Sequence, residues 1–260
     1  MRFTSERRHD DGVLEREFIL GDIPGTLWTP PSLTPSASPA QAAHAPTPAS
    51  APTPLILMAH NNGLPKAEPR LVARARLSAA YGYAVASIDA AGCGERPRDP
   101  AVEQARAGLR DALRAGRPAA ELSAVFESLA GPLVEMAAPE WRTALDALLE
   151  LPGIDGPVGY SGWMALGIRL AATDPRIAAA GFFAGGYVPH AQRVEAPRVT
   201  VPLLVLLQWD DEGNPRQRVL DLFDTFGSKE KTLHANMGGH LGTPSYERED
   251  GDRFFARHLK

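Results

Sequence analysis

Short apolar runs alternate along the chain with segments of helical periodicity. The runs are too short to span a membrane and have the length of buried strands. Eight strands are predicted: LEREFIL (14–20), GTLWT (25–29), LILMAH (55–60), YAVASID (83–89), GPVGYS (156–161), IAAAGFF (177–183), VPLLVLLQW (201–209) and KTLHAN (231–236). Helices are predicted over 69–81, 162–173, 215–226 and 245–258, and over most of 100–150 with breaks near 116–118 and 131–132. This alternation predicts an α/β protein with a mostly parallel central sheet and helices on both faces.

Two segments depart from the alternation. Residues 30–54 are rich in proline, alanine and serine and carry no formal charge. Such a segment buries too little apolar surface to offset its ordering entropy, so we expect a flexible insertion in a surface connection. The interval between the strand ends Asp89 and Ser161 is long for a single crossover helix, and we expect residues 97–138 within it either to cover the site or to pack on the sheet. The whole chain, 1–260, is predicted to form one domain.

Composition narrows the classes of function. The chain has 260 residues, 44% hydrophobic and 22% charged, with a net charge of −4. No broad positive field is implied, so we predict no nucleic-acid partner. The first residues lack the apolar core of a signal peptide and no membrane span is predicted, which favours a cytoplasmic protein. The single cysteine, Cys93, excludes an internal disulfide framework. Oligomeric state is left open.

Four predicted strand ends carry residues that could take part in catalysis. They are HNNG (60–63), the serine of GYSG (159–162), DDEGNP (210–215) and MGGHLGTP (237–244). In parallel sheets, ligands bind beyond the carboxyl ends of the strands. A serine hydroxyl becomes a good nucleophile when an imidazole takes its proton and a carboxylate orients the imidazole. Each motif alone also has a plain structural role as a cap or a turn.

Together these motifs resemble the α/β-hydrolases, and in particular the dienelactone hydrolases and small serine esterases. The chain order serine, aspartate, histidine is that of the superfamily. The resemblance covers roughly residues 14–258 apart from the proline-rich insertion. It implies Ser161 as nucleophile, His240 as base and Asp211 as the acid, with Asp210 as the alternative acid.

The resemblance also implies the remaining parts of the site. The oxyanion hole would use the backbone N–H of Gly162 and a second N–H from Asn62 or Asn61. Trp163 stands where the Gly-x-Ser-x-Gly motif has a small residue, and the sequence leaves open whether it lines the pocket or fills the core. Three more residues are candidates for the pocket lining: His60, Tyr187 and His190.

The predicted function is hydrolysis of a carboxylic ester, thioester or lactone of a small molecule through an acyl-enzyme. Two alternatives remain open. The same triad could serve a C–C hydrolase, a peptidase, an acyltransferase or a biosynthetic cyclase, or the fold could be a non-catalytic binding protein. The histidines lack the spacing of a helical zinc motif, so we predict no metal, and the chemistry requires no cofactor.

Overall fold

The computed structural model describes residues 1–33, 52–60, 64–116, 119–185, 187–211 and 214–260. Most of the predicted insertion 30–54, namely residues 34–51, lies outside these ranges. The strands are β1 Arg2–Arg8, β2 Leu14–Leu20, β3 Ile23–Thr29, β4 Leu55–Met58, β5 Ala84–Ile88, β6 Val158–Trp163, β7 Ile177–Phe183, β8 Leu203–Gln208 and β9 Lys231–Asn236. The α-helices are α1 Pro69–Ala80, α2 Pro100–Arg114, α3 Ala119–Leu149, α4 Met164–Thr173, α5 His190–Glu195, α6 Arg216–Thr225 and α7 Tyr246–Leu259.

The strands form one sheet in the order β1-β2-β3-β5-β4-β6-β7-β8-β9. The first three strands and the β3–β5 pair are antiparallel, and every pair from β5 to β9 is parallel. The inner parallel strands β4, β5 and β8 are rich in Val, Ile, Leu and Ala and are buried on both faces, whereas the edge strand β9 is partly exposed. The predicted mostly parallel sheet is therefore confirmed, and its carboxyl ends lie along one edge.

Each face of the sheet packs on its own core cluster. The larger cluster includes Tyr160, Phe182 and Leu145, which join the sheet to α3 and α4. The smaller includes Met58, Phe255 and residues of α1, so α1 and α7 cover the opposite face. Helices on both faces, as predicted, leave the edge at the carboxyl ends of the strands as the place for a site.

Three elements differ from the sequence predictions. Strand β1 was not predicted because nearly all of its side chains are exposed, so it lacks the alternation of a half-buried strand. Helix α3 runs on through Pro132, where a break is predicted. Leu133 and Val134 are buried in the larger core, and this packing outweighs the local cost of the proline. Strand β6 extends to Trp163, two residues beyond the predicted end.

Residues 97–138 contribute α2 and the first part of α3. The side chains of Leu129 and Leu133 are buried in the core, so this part of the helix packs on the fold. One turn earlier, Phe126 stacks on Tyr187 with ring centroids 5.4 Å apart. Helix α3 therefore packs both on the core and on the loop that follows β7, and cover of the site by residues 97–138 stays a prediction. Among the described helices, none has the length and apolar character needed to cross a bilayer.

Candidate active site

A histidine–aspartate pair lies beyond the carboxyl ends of β8 and β9. The Nδ1 atom of His240 is 2.8 Å from Oδ2 of Asp211. The Asp211 side chain is 2% exposed and that of His240 is 35% exposed. An ionised carboxylate can only accept, so we assign the proton to Nδ1, which leaves Nε2 as the basic nitrogen. Of the two aspartates considered from the sequence, Asp211 contacts the imidazole, and the neighbouring Asp210 is exposed.

Backbone contacts bring the two residues together. Strands β8 and β9 are adjacent, and the N–H of Trp209 donates to Asn236 O at 2.7 Å. The N–H of Asp210 then donates to Gly238 O at 3.1 Å. The chain after each strand is thus held against the other, so Asp211 reaches a histidine 29 residues later.

The imidazole of His240 is also packed from the side of β7. The ring meets Phe183 edge to face, with centroids 5.5 Å apart. A Cβ added to Gly185 would lie 2.6 Å from His240 Cε1 and 2.3 Å from Phe183 Cε1. Only a glycine at 185 lets the backbone pass beside these rings. The position of the base therefore depends on three strand ends, those of β7, β8 and β9.

Ser161 lies inside β6, three residues before the first residue of α4. No described non-glycine residue has a positive φ, whereas Gly162 has φ +143°. A Cβ at Gly162 would lie 2.0 Å from Ala59 O, so the position requires glycine. The left-handed residue of this turn is therefore Gly162 and not the serine, which keeps ordinary strand geometry.

The Ser161 hydroxyl lies on the face of the sheet that α7 covers. A Cβ added to Gly181 would lie 3.9 Å from Ser161 Oγ and 3.5 Å from Cζ of Phe255, a residue of α7. Within the described part of the chain, no hydrogen bond joins Ser161 Oγ to His240. The structure thus brings Asp211 and His240 together beyond β8 and β9, while Ser161 lies at the end of β6, on the other side of β7 in the sheet.

The predicted oxyanion residues are only partly described. Gly162 is buried at the end of β6, and Ala59 N donates to Ser161 O at 2.9 Å, so the segment after β4 begins beside the serine. Asn61 and Asn62 lie outside the described residues. The oxyanion hole therefore remains a prediction.

Trp163 is a core residue. Its side chain is 6% exposed and belongs to the larger core cluster. The Tyr160 hydroxyl donates to Trp163 O at 2.7 Å, which fixes the backbone just before α4. Of the two locations left open from the sequence, the structure gives the core, and the next residue, Met164, lines a pocket instead.

An open pocket of about 190 Å³ lies between the start of α4, the loop after β7 and one face of α6. Tyr187, Met164 and Asn214 line it. Its polar wall includes Arg193 and Arg218. The contribution of α6 to this pocket was not predicted from the sequence. The signal was the spacing of Arg218, Asp221, Leu222 and Thr225, which places them on one helix face.

The other two candidate lining residues lie elsewhere. His190 is exposed at the start of α5, where its backbone N–H donates to the Glu127 carboxylate at 3.0 Å. His60 is half-buried, with Nε2 3.3 Å from Glu68 Oε2. Burial lowers the pKa of His60, and the nearby Glu68 carboxylate opposes that effect. Neither side chain is part of the wall of this pocket.

Comparison with known proteins gives similarities of structure. No protein-family model matches the sequence, and no curated protein sequence matches it. A cold-adapted esterase from an Arctic intertidal metagenomic library is 28% identical over 100% of both chains, with a TM-score of 0.74. Dienelactone hydrolase from Anabaena variabilis is 19% identical over 95% of this chain and 99% of its own, with a TM-score of 0.60. Acetyl xylan esterase from Paenibacillus sp. R4 is 15% identical over 99% and 88%, with a TM-score of 0.67. The last two likenesses concern the fold alone.

Proposed function

Since the chain is a member of the α/β-hydrolase superfamily with the fold of its dienelactone-hydrolase-like branch, we propose that it hydrolyses a carboxylic ester of a small molecule. The observation that carries the proposal is the 2.8 Å contact between His240 Nδ1 and Asp211 Oδ2. A buried carboxylate that orients a partly exposed imidazole prepares a general base. The esterase neighbour that matches over the whole chain supports an ester as the substrate.

In the proposed reaction, Ser161 Oγ attacks the ester carbonyl while its proton passes to His240 Nε2. Asp211 stabilises the imidazolium that forms. The tetrahedral oxyanion is held by the N–H of Gly162 and that of Asn62 or Asn61. His240 then gives the proton to the departing alkoxide, and the acyl group remains on Ser161. A water molecule, deprotonated by the same nitrogen, releases the carboxylic acid and restores the serine.

The Ser161 hydroxyl lies beside Gly181 on the α7 face. Gly162, the residue after the serine, has wide conformational freedom. We propose that the bound ester brings the serine and the imidazole within hydrogen-bond distance, because catalytic hydrogen bonds often tighten only in the substrate complex.

A second candidate function is ligand binding without turnover. The observation that favours it is Trp163, which stands where the Gly-x-Ser-x-Gly motif has a small residue. In that case the pocket beside Tyr187 and Met164 would hold a ligand while no acyl-enzyme forms.

The decisive experiment measures hydrolysis of p-nitrophenyl esters of rising acyl length, with lactones and thioesters alongside. Asp211→Asn is expected to lower kcat by about 10³- to 10⁴-fold, because the wrong imidazole tautomer is then favoured. The matched control is Asp210→Asn, which changes an exposed neighbour and should leave kcat within about twofold. A competing alcohol in the assay separates hydrolysis from acyl transfer by its products.

Labelling with a fluorophosphonate identifies the nucleophile. We expect the label on Ser161 in the wild type and its loss in Ser161→Ala, while Ser128→Ala on the exposed face of α3 labels normally. If turnover survives Ser161→Ala but is lost in His240→Gln, the nucleophile is a water molecule activated by His240 and Asp211, and not Ser161. The ligand-binding function is supported if the wild type turns over no ester, lactone or thioester and a ligand binds equally well to the wild type and to Ser161→Ala.

A further inference from the structure

A second group of ligating side chains lies on the edge strand of the sheet, away from the candidate active site. His234 is on β9, and Glu247 and Asp250 are one helical turn apart on α7. One potential ligand atom from each of the three lies within 4.8 Å of the other two. This cluster uses none of the residues assigned to ester hydrolysis, so the inference is independent of the proposed function.

Glu247 is the centre of the cluster. Its side chain is 2% exposed, and its Oε2 is 2.8 Å from His234 Nδ1. Its other oxygen, Oε1, accepts from Asn236 Nδ2 at 2.8 Å, and Asn236 Oδ1 accepts from the Tyr246 hydroxyl at 3.0 Å. The buried carboxylate is thus oriented by a chain of two hydrogen bonds, the arrangement that outer residues give to metal ligands.

The rim of the cluster is open to solvent. His234 is 30% exposed. Asp250 is 28% exposed and forms an ion pair with Arg253 at 2.6 Å. Arg253 also lies 3.4 Å from Glu249, so it keeps an acidic partner if Asp250 turns away. An ion can therefore reach the cluster, and Asp250 can leave its present partner at little cost.

We propose that His234, Glu247 and Asp250 bind a divalent transition-metal ion, of which zinc fits the donor set best. One imidazole nitrogen and two carboxylate oxygens suit zinc, with water as the fourth ligand. Bond lengths of about 2.0 to 2.2 Å place tetrahedral ligand atoms about 3.3 to 3.6 Å apart. The His234–Glu247 contact must open slightly and Asp250 must move inward. The two carboxylates balance the charge of the ion.

Bound metal would fasten α7 to β9. Strand β9 ends at Asn236, four residues before His240. The ion would therefore also hold the start of the loop that carries this imidazole. The role is structural, because the ligand atoms belong to the β9–α7 contact and not to the carboxyl ends of the parallel strands.

The test is a calorimetric titration of the full-length, chelator-treated protein with Zn²⁺, and with Co²⁺ for its visible absorption. We expect one ion per chain and a higher melting temperature in its presence. Asp250→Asn should weaken binding at least tenfold while leaving the His234–Glu247 contact in place. His234→Gln should weaken it similarly, and Asn236→Ala, which removes both outer hydrogen bonds and no ligand, by about 10- to 100-fold.

The matched control is His258→Gln on the same helix. His258 also faces a glutamate, with Nε2 3.7 Å from Glu230 Oε1, but it is not part of the cluster. This variant should bind zinc as the wild type does. Absence of zinc binding up to millimolar concentration overturns the proposal. Unchanged binding by Asp250→Asn also overturns it. Because Asp250 is partly exposed, misfolding is a poor explanation for a loss of binding by this variant. Circular dichroism of each variant checks that it is folded.

Discussion

Replacement of Gly162 by alanine tests the turn on which the candidate site depends. The added Cβ would lie 2.0 Å from Ala59 O and 2.9 Å from Ala59 C, both backbone atoms that cannot move independently of β4. The residue would also have to keep φ at +143°, where L side chains are rarely found. We therefore expect Gly162→Ala to destabilise the protein strongly.

The magnitude has two contributions. A non-glycine residue in a sparsely populated backbone region costs about 1 to 3 kcal/mol. Forcing a methyl group into a filled site costs about 1 to 3 kcal/mol more. The sum, about 2 to 6 kcal/mol, is a large share of the roughly 5 to 15 kcal/mol that stabilises a typical domain. For a chain of this size it corresponds to a fall in Tm of about 5 to 20 °C.

Gly181→Ala is the matched control, on the neighbouring strand β7. Its added Cβ would lie 3.5 Å from Phe255 Cζ, an ordinary van der Waals distance, and its φ is not positive. This variant should be neutral or gain up to about 1 kcal/mol from lower backbone entropy in the unfolded chain. Urea unfolding of both variants gives the comparison. Equal midpoints with equal m-values would refute the close approach of Gly162 to β4.

Two further predictions concern the surroundings of the site. Tyr187→Phe removes the hydroxyl that donates to Glu127 Oε2 at 2.9 Å, so the unfolding free energy should fall by about 0.5 to 1.5 kcal/mol, while the half-exposed control Tyr81→Phe is neutral; equal urea midpoints for the two would contradict this. Burial lowers the pKa of the folded-state His60 below 6.5. As the pH falls, the unfolded chain therefore takes up this proton before the folded chain does. The unfolding free energy is thus highest above pH 6.5 and decreases as the pH falls toward and through the folded-state pKa. His60→Gln should flatten that loss in urea midpoints measured from pH 8 to 5, and parallel profiles would count against it.

The sequence was sufficient for most of the fold because the parallel strands are buried on both faces. Continuous apolar runs such as LILM and LLVLLQ have one structural interpretation once helices separate them. Strand β1 escaped prediction because exposed residues carry no such pattern. Helix α3 continues through Pro132 because it packs against the larger core. Local helix propensities do not include such long-range packing, so they predict a break there.

The motifs of the candidate site could be picked out from the sequence, but their geometry could not. The resemblance implied His240 and either Asp211 or Asp210. The contact of His240 with Asp211 depends on β8 and β9 being neighbours, and strand order is not a local property of the sequence. The Ser161 hydroxyl lies on the α7 face, and Gly162, not the serine, has the positive φ of +143°. A motif that reads Gly-Tyr-Ser-Gly fixes neither that angle nor the face of the sheet on which the serine lies.

Two histidine–carboxylate pairs in this protein have nearly the same local geometry, so geometry alone does not identify the base. In each pair the contact is 2.8 Å and the carboxylate is 2% exposed, with His240 35% and His234 30% exposed. Position separates them. His240 and Asp211 lie beyond the carboxyl ends of β8 and β9, where parallel sheets place ligands, whereas His234 and Glu247 join the body of an edge strand to a helix.

The same distinction makes the two pairs separable by experiment. His240→Gln should abolish ester turnover and leave zinc binding intact, because its imidazole is outside the metal cluster. His234→Gln should weaken zinc binding and leave ester turnover intact. Its kcat/KM in the presence of chelator should equal that of the chelated wild type. If His234→Gln instead lowers kcat in chelated protein while stability is unchanged, the general base has been assigned to the wrong histidine.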